Sequence, residues 1–304
     1  MLSWQDAAVL TGVLAAAAVI LRLSSPRWAR TTAAFAIEAT VIAALYTIWQ
    51  LAGTIAIMGT QDAYHRASWI ASTERTLHLP SEAGVQHLVL GHSTAVQALN
   101  LYYASMHFAM LGVFLVWLFI RHREAYSRVR NTIALATLAC LAISFVPVAP
   151  PRLLGNGIVD TAVEYGQSVY NAGLATDQMS AMPSVHVLWC VAIGWYAVRI
   201  GRSRWRWLGP LHAAITIFVV VATGNHWWSD GIVAIAVLVV CAWLRVGLAY
   251  GFRALTDRYR PALPAWARAA PVPVSAASPT AWQFDGDDRA SEDSSTPIAS
   301  NPAP

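Results

Sequence analysis

The chain has 304 residues, of which 57% are hydrophobic and only 12% are charged. This balance is too apolar for a soluble domain of that length, and it predicts an integral membrane protein. The formal net charge of +4 comes from arginine without any lysine. Because most arginines cluster in short segments between apolar stretches, the charge does not predict a nucleic-acid-binding face.

Seven apolar stretches are candidates for membrane-spanning helices, which need about 20 mostly apolar residues. In chain order they are 6–21, 33–58, 97–120, 132–148, 183–198, 208–223 and 231–244. The first lacks the basic flank and the cleavage site of a signal peptide, and it is expected to be retained as a helix. The sequence therefore predicts an all-α, polytopic membrane helix bundle.

Arginine is grouped after every second apolar stretch. These groups are Arg22, Arg27 and Arg30; Arg121, Arg123, Arg128 and Arg130; Arg199, Arg202, Arg204 and Arg206; and Arg245, Arg253, Arg258 and Arg260. Cytoplasmic loops carry the excess of positive charge. We therefore expect an N-terminus outside, a C-terminus in the cytoplasm, and loops 59–96, 149–182 and 224–230 on the outer face of the plasma membrane.

Two further segments have distinct compositions. Segment 59–96 is polar with periodic apolar residues, and it predicts short interfacial helices that begin at Ser72-Thr73-Glu74 and at Pro80-Ser81-Glu82. Segment 261–304 is rich in Pro, Ala, Ser and Asp. Such a composition cannot bury a core, and it predicts a disordered cytoplasmic tail.

Four residues inside apolar stretches have structural interpretations. Cys140, Cys190 and Cys241 are too isolated for a disulfide framework or a metal site, and they are expected to be small core residues. Glu38 lies in the cytoplasmic half of the second stretch, far from the outer loops. We expect it to pack against or pair with a neighbouring group rather than take part in chemistry.

The loop 224–230 contains a histidine and an aspartate at helical spacing. His226 and Asp230 share one face if the backbone is helical. A carboxylate one turn away accepts the ring N–H of an imidazole, which fixes the tautomer and makes the other nitrogen more basic. The pair predicts a nucleophilic His226 oriented by Asp230, and the alternative is a helix cap beside a packing histidine.

Two other polar clusters lie at ends of apolar stretches on the same side. Arg152 is the only arginine in loop 149–182, and its planar guanidinium suits phosphate. Ser184 lies at the start of the fifth helix, where free backbone N–H groups bind anions. His186 follows in the first turns of that helix, where an imidazole needs a polar partner. We therefore expect one extracytoplasmic site.

These motifs occur in the order Pro-Pro-Arg ending at Arg152, Pro-Ser-x-His ending at His186, and His-x-x-x-Asp from His226 to Asp230. In this order they resemble the type 2 phosphatidic acid phosphatase superfamily. With Tyr-Ala-Ser-Met-His ending at His107, they are most similar to its inositol phosphorylceramide synthase-like branch, the inositolphosphotransferases. The resemblance spans about 74–250 and implies a six-helix phosphatase-like core.

The resemblance implies a role for each motif residue. His226 attacks phosphorus and forms a phosphohistidine, and Asp230 holds the imidazole. His186 protonates the leaving oxygen and then activates the acceptor. Ser184 and Arg152 bind the phosphate oxygens, with no metal and no cofactor.

The sequence departs from the phosphatase form of the motifs at two positions. Phe145 stands near the place of a lysine in the first motif, and Val220 stands where the third has an arginine. Phosphate is then expected to be neutralised by Arg152, backbone N–H groups and polar side chains. The candidates for this role are Asn225, the Trp227 N–H, Tyr103 and His107. Tyr103 and His107 share a helix face, and they either line the site or make interhelical hydrogen bonds.

We expect a membrane enzyme that transfers a phosphoryl group or phospho-headgroup from a lipid to a polyol, such as inositol or a sugar, or to water. A polyprenyl- or phosphatidyl-phosphate phosphatase would use the same residues. Two competing hypotheses are a non-catalytic lipid-binding or transport protein with a decayed site, and a metal-dependent enzyme using His186, His226 and Asp230. The expected organisation is an N-terminal helix and basic loop (1–32), a catalytic membrane domain (33–255) and the tail (261–304).

Overall fold

The computed structural model describes residues 3–24, 26–54, 60–168 and 178–259. Within these ranges the chain forms ten α-helices: α1 (Trp4–Leu23), α2 (Arg27–Thr54), α3 (Thr60–Thr76), α4 (Glu82–Leu90), α5 (Ser93–Arg121), α6 (Arg123–Ser144), α7 (Thr161–Glu164), α8 (Val185–Ile200), α9 (Leu208–Ala222) and α10 (Trp228–Tyr259). The described part of the chain contains no β-strand, which confirms the all-α prediction. The predicted tail, 261–304, lies outside the described residues.

Residues Met1–Leu248 form one compact unit. The second unit, Ala249–Pro304, contributes only the C-terminal end of α10 to the described residues.

Among the residues that the structure describes, four helices are long and apolar enough to cross a membrane, which makes the chain an integral membrane protein. They are Trp4–Leu23, Ser93–Arg121, Arg204–Ala222 and Trp228–Leu248, and two shorter apolar helices are Thr32–Ile48 and Val185–Ile200. Each of the seven predicted stretches coincides with a helix where the structure describes it. The count of seven membrane crossings stays a prediction.

The predicted boundaries differ from the observed ones at several connections. α2 begins at Arg27 rather than near 33, and α10 continues to Tyr259 rather than ending near 244. α6 begins at Arg123, directly after His122, rather than near 132. Arg123, Arg128 and Arg130 therefore lie in the first turns of a helix and not in a loop. α8 begins at Val185 instead of Pro183, because Ser184 caps the helix and its Oγ accepts a hydrogen bond from Val187 N.

One of the two short helices predicted in segment 59–96 is confirmed. α4 begins after Ser81, whose Oγ accepts a hydrogen bond from Gly84 N. The other predicted start, at Ser72-Thr73-Glu74, is wrong, since these residues lie inside α3. The hydroxyls of Ser72 and Thr73 bond carbonyl oxygens within the helix instead of capping it.

The largest core cluster joins α5, α6, α8 and α10, with Leu118, Ala136 and Leu188 fully buried. All three cysteines are free and buried, as predicted. Glu38 has the predicted pairing role, because it accepts hydrogen bonds from Arg130 and Tyr126.

α8 and α9 pack closely through glycine. A Cβ added to Gly209 would lie 2.8 Å from the Ala197 Cβ, and one added to Gly194 would lie 3.3 Å from the Gly209 carbonyl oxygen. Glycine at both positions lets the backbones approach, as in other membrane helix pairs. These glycines hold the end of α8 against the start of α9, at the opposite ends of both helices from the predicted motifs.

Candidate active site

A tight turn between α9 and α10 positions the third motif. Gly224 has φ +68°, and a Cβ there would lie 2.9 Å from the Ile158 Cγ2 and 3.2 Å from the Arg152 Cβ. Glycine is required both by this backbone conformation and by the lack of space. The Gly224 carbonyl oxygen accepts a hydrogen bond from Arg152 N (3.0 Å), which joins the first and third motifs through the backbone.

His226 is buried and held by two acceptors on one ring nitrogen. Its Nδ1 lies 2.8 Å from the Ala181 carbonyl oxygen and 3.2 Å from Asp230 Oδ2. Because both partners accept, we assign the ring hydrogen to Nδ1. The Nε2 lone pair then faces His186, whose Nδ1 lies 3.4 Å away. The acceptors thus orient the His226 ring and direct its second nitrogen toward another imidazole.

Asp230 has no exposed surface, and it organises the turn around His226. Its Oδ2 also accepts a hydrogen bond from Trp227 N (2.8 Å), so the carboxylate caps the start of α10 while it orients the imidazole. Its backbone carbonyl oxygen accepts from Ser184 N (3.2 Å). The second and third motifs are thereby fixed to each other.

Aromatic rings from α5 cover the histidine pair. The Tyr103 ring stacks on His186, with centroids 4.5 Å apart and an interplanar angle of 19°. The His107 ring centroid lies 4.2 Å from that of His186. The Nδ1 of His107 is 3.1 Å from the Tyr103 carbonyl oxygen within the same helix. The predicted shared face of α5 therefore lies against the histidine cluster.

Arg152 is buried and already has a carboxylate partner. Its Nε donates to Asp160 Oδ2 at 3.0 Å, and only 2% of the Arg152 side chain is exposed. Gln86 links the same loop to the end of α9. Its Oε1 accepts a hydrogen bond from Val159 N, and its Nε2 donates one to the Ala222 carbonyl oxygen. Neither Asp160 nor Gln86 was expected from the sequence, because both act across loops without periodicity.

Three residues proposed for phosphate contact have structural partners. Ser184 is fully buried and caps α8. The Asn225 Nδ2 donates to Thr223 Oγ1 at 2.8 Å. The Trp227 indole N–H donates to the Ala149 carbonyl oxygen at 3.0 Å, so it is not directed at a substrate. The phosphate-binding roles of Ser184 and Asn225 stay predictions.

Two buried acids that the sequence analysis placed at helix starts lie beside the turn. The Glu74 Oε1 accepts a hydrogen bond from Ser229 N at 2.6 Å, which places a second carboxyl group at the start of α10. Burial and a hydrogen bond with Glu74 raise the pKa of Glu82 to about 8. The position of Glu74 between apolar segments was a signal in the sequence that this carboxyl group is buried. Its partner, 155 residues away, was not predictable from the sequence.

The structure brings His226, Asp230, His186, Tyr103 and His107 into one contiguous cluster. Arg152, Ser184 and Asn225 are tied to the same turn through backbone contacts and nearby side chains. Within the described ranges, no group of three or more His, Cys, Asp and Glu has the arrangement to hold a metal ion.

A family model described as the PAP2 superfamily matches residues 68–244, which is more than half of the chain and includes every candidate site residue. No curated protein and no solved structure matches the chain. The matched range contains all three motifs. The chain therefore belongs to the PAP2 superfamily, the type 2 phosphatidic acid phosphatases, and is a phosphatase-type membrane enzyme.

Proposed function

We propose that this protein transfers a phosphoryl group or phospho-headgroup from a membrane lipid to a polyol or to water through a phosphohistidine at His226. The observation that carries the proposal is the pair of acceptors facing His226 Nδ1, the Ala181 carbonyl oxygen and Asp230 Oδ2. They leave Nε2 as a base and nucleophile next to His186.

The reaction has two steps that share one phosphorus centre. His226 Nε2 attacks phosphorus and the bond to the lipid oxygen breaks, while the imidazolium form of His186 gives its Nδ1 proton to that oxygen and becomes neutral. His186 then takes a proton from the acceptor hydroxyl, whose oxygen attacks the phosphohistidine and releases His226. Asp230 stabilises the positive charge that develops on the His226 ring during the attack.

Phosphate binding is assigned to Arg152, Ser184 and Asn225. Arg152 is tied to Gly224, two residues before His226, so a small side-chain rotation could direct part of its guanidinium fork toward a phosphate. Ser184 and Asn225 lie at the start of α8 and in the α9–α10 turn, which supports an oxyanion environment between them. Tyr103 and His107 form the wall that limits the entry of water.

We propose that the chain belongs to the inositolphosphotransferase branch and that its acceptor is therefore a polyol. The Pro-Pro-Arg motif and the Tyr103–His107 segment resemble that branch, and a wall of aromatic rings favours an organic acceptor over bulk water. The plasma membrane, with the site on its outer side, is the proposed location, because the arginine-rich connections lie at the opposite ends of α8 and α9. The domain boundaries 1–32, 33–255 and 261–304 are retained as part of this proposal.

A reconstituted assay separates transfer from hydrolysis. Purified protein in vesicles is given phosphatidic acid, a polyprenyl phosphate or a phosphoinositide carrying labelled phosphate, with and without inositol and sugars. A labelled polyol phosphate or phospholipid is expected, and free phosphate alone would identify a phosphatase. Activity is expected to survive a chelator and to vanish in His226→Gln. Full cellular function of a folded His226→Gln protein would support a non-catalytic lipid-binding role instead.

A further inference from the structure

An apolar cavity of about 170 Å³ lies among α2, α5, α6 and α8. Its walls are mainly aliphatic and aromatic, and they include Leu45 from α2, Leu111 from α5 and Ile133 from α6. Thr137 contributes little polarity, because its hydroxyl donates to the Ile133 carbonyl oxygen and accepts from the Trp189 indole. A cavity of this chemistry is suited to hydrocarbon and not to water.

One end of the cavity shares its wall with the candidate active site. Val185, which lines the cavity, immediately precedes His186 in the chain. The Phe108 ring, also in the wall, lies 4.0 Å from the His107 ring, centroid to centroid. Trp189 continues the wall, with its ring centroid 5.9 Å from that of His107. An apolar chain in the cavity would therefore start beside the histidine cluster.

The other end of the cavity is bounded by charge. Arg130 lines it, and its guanidinium donates to Glu38, which also accepts from Tyr126. From Phe108 to Leu115 the wall follows two turns of α5, about 10 Å of helix. A hydrocarbon chain that extended beyond this depth would displace or desolvate a partly buried ion pair, which is costly.

We propose that this cavity holds one hydrocarbon chain of the donor lipid and that the Arg130–Glu38 pair limits the length of chain accepted. The proposal rests on the proposed function, since the chain enters the cavity only if its phosphate lies at His226. The cavity thus selects donors by their tail, while the histidine cluster reacts with their phosphate. Each methylene buried in the cavity strengthens binding until the charged end is reached.

Gly112 provides a way to shorten the cavity. It lines the wall about one turn below Phe108, and a Cβ added there meets no atom within 4 Å. A leucine at this position would occupy the cavity without a backbone clash. Gly12 is the matched control, since a Cβ there also meets no atom within 4 Å and the residue lies exposed on α1.

The experiment measures kcat/KM for alkyl monophosphates from hexyl to octadecyl at a fixed mole fraction in detergent micelles. The kcat/KM of each variant is divided by that of the unmodified protein for the same substrate, so that differences in micelle partition cancel. Gly112→Leu is expected to lower the ratio for the longest chains about tenfold, the effect of two buried methylenes, and to leave hexyl phosphate unchanged. Gly12→Leu is expected to give the same ratio at every length.

The charged end is tested with the double substitution Arg130→Met and Glu38→Gln, which leaves no unpaired charge behind. It is expected to raise the ratio selectively for the longest chains. Length-independent ratios in both Gly112→Leu and the double variant, with folding confirmed by thermal unfolding, would overturn the cavity assignment and leave the proposed function intact. If the unmodified protein turned over none of the alkyl phosphates or labelled lipids, the proposed function itself would fail.

Discussion

α1 and α9 are both apolar helices, yet they use their apolar surface differently. In α1 only 11% of the most apolar segment is buried, against 39% in the segment Arg204–Ala222 that includes α9. The buried residues of α1 are Ala7 and Ala18, whereas Val13 and Ile20 are largely exposed. α9 ends in the turn that carries His226. An apolar composition is sufficient for α1, whereas the packing of α9 requires particular residues at particular positions.

The comparison extends to the first turns of α1 and α10, which both contain an aspartate. Asp6 is exposed and interacts with Ser3 at the start of α1, while Asp230 is fully buried and bonds His226 and Trp227. Only the second has an imidazole to orient. The same local device therefore serves a helix cap in one region and the candidate chemistry in the other.

The largest expected effect is at Asp230. Asp230→Asn replaces the carboxylate with a neutral amide that no longer stabilises a charged His226 ring, and kcat is expected to fall about 10⁴-fold. The measurement is turnover of labelled lipid phosphate by protein whose thermal unfolding is recorded in parallel. Asp6→Asn is the matched control and should retain full turnover. Equal activity in the two variants would separate Asp230 from the reaction.

Asp160→Asn should lower the stability of the folded protein. It leaves the buried Arg152 guanidinium without its carboxylate partner, at a cost of about 3 kcal/mol in the free energy of unfolding. Glu164→Gln, an exposed acid in the same loop, should change the unfolding midpoint in detergent very little. If both variants unfolded at the same temperature, the Arg152–Asp160 pair would have no structural importance.

Valine truncation tests the contrast between α1 and the site helices directly. Val187→Ala removes two methyl groups from a fully packed position in α8, and it should lower the free energy of unfolding by about 2 kcal/mol. Val13→Ala in α1 should cost less than about 0.5 kcal/mol, because 60% of Val13 is exposed. Steric-trap or denaturant unfolding in detergent measures both. A larger loss at Val13 than at Val187 would contradict the contrast between an exposed position in α1 and a packed position in α8.

A smaller effect, visible as a dependence on pH, is expected at Glu82. The folded protein keeps a proton on Glu82 up to a pKa of about 8, whereas the unfolded chain releases it near 4.5. Stability should therefore decline as pH rises from about 4.5 through 8, because the unfolded state then binds fewer protons than the folded state. Glu82→Gln should flatten this decline. An identical pH profile of the unfolding midpoint in both proteins would show that Glu82 does not contribute.

Sequence patterns predicted the parts of the fold that are local. Apolar stretches located the long helices, and Ser81 marked the start of α4 through its cap. Ser72-Thr73-Glu74 carries the same signal but lies inside α3, because its hydroxyls bond carbonyl oxygens of the preceding turn. In the sequence, a hydroxyl residue that caps a helix is not distinguishable from one that bonds a carbonyl oxygen inside a helix.

In the candidate site, the sequence predicted the contacts between residues that are close in the chain or that belong to a recognised motif. The spacing of His226 and Asp230 predicted their contact. The expectation that all three motifs lie on one side of the membrane predicted that His186 lies near His226. The Ala181 carbonyl oxygen that bonds His226 lies 45 residues away and belongs to no side-chain pattern. Glu74 and Gln86 reach the α9–α10 turn across still longer separations. Such contacts depend on tertiary packing, which sequence periodicity does not encode.

We propose that His226 Nε2 forms a covalent bond to phosphorus during turnover. Rapid quenching of the protein in alkali during turnover of a labelled lipid phosphate, followed by peptide mass spectrometry, tests it most directly. We expect an acid-labile, alkali-stable phosphate on His226 that is absent from His226→Gln and disappears when acceptor is added. Full turnover with no labelled His226 at any quench time, or stable label on another residue, would contradict it.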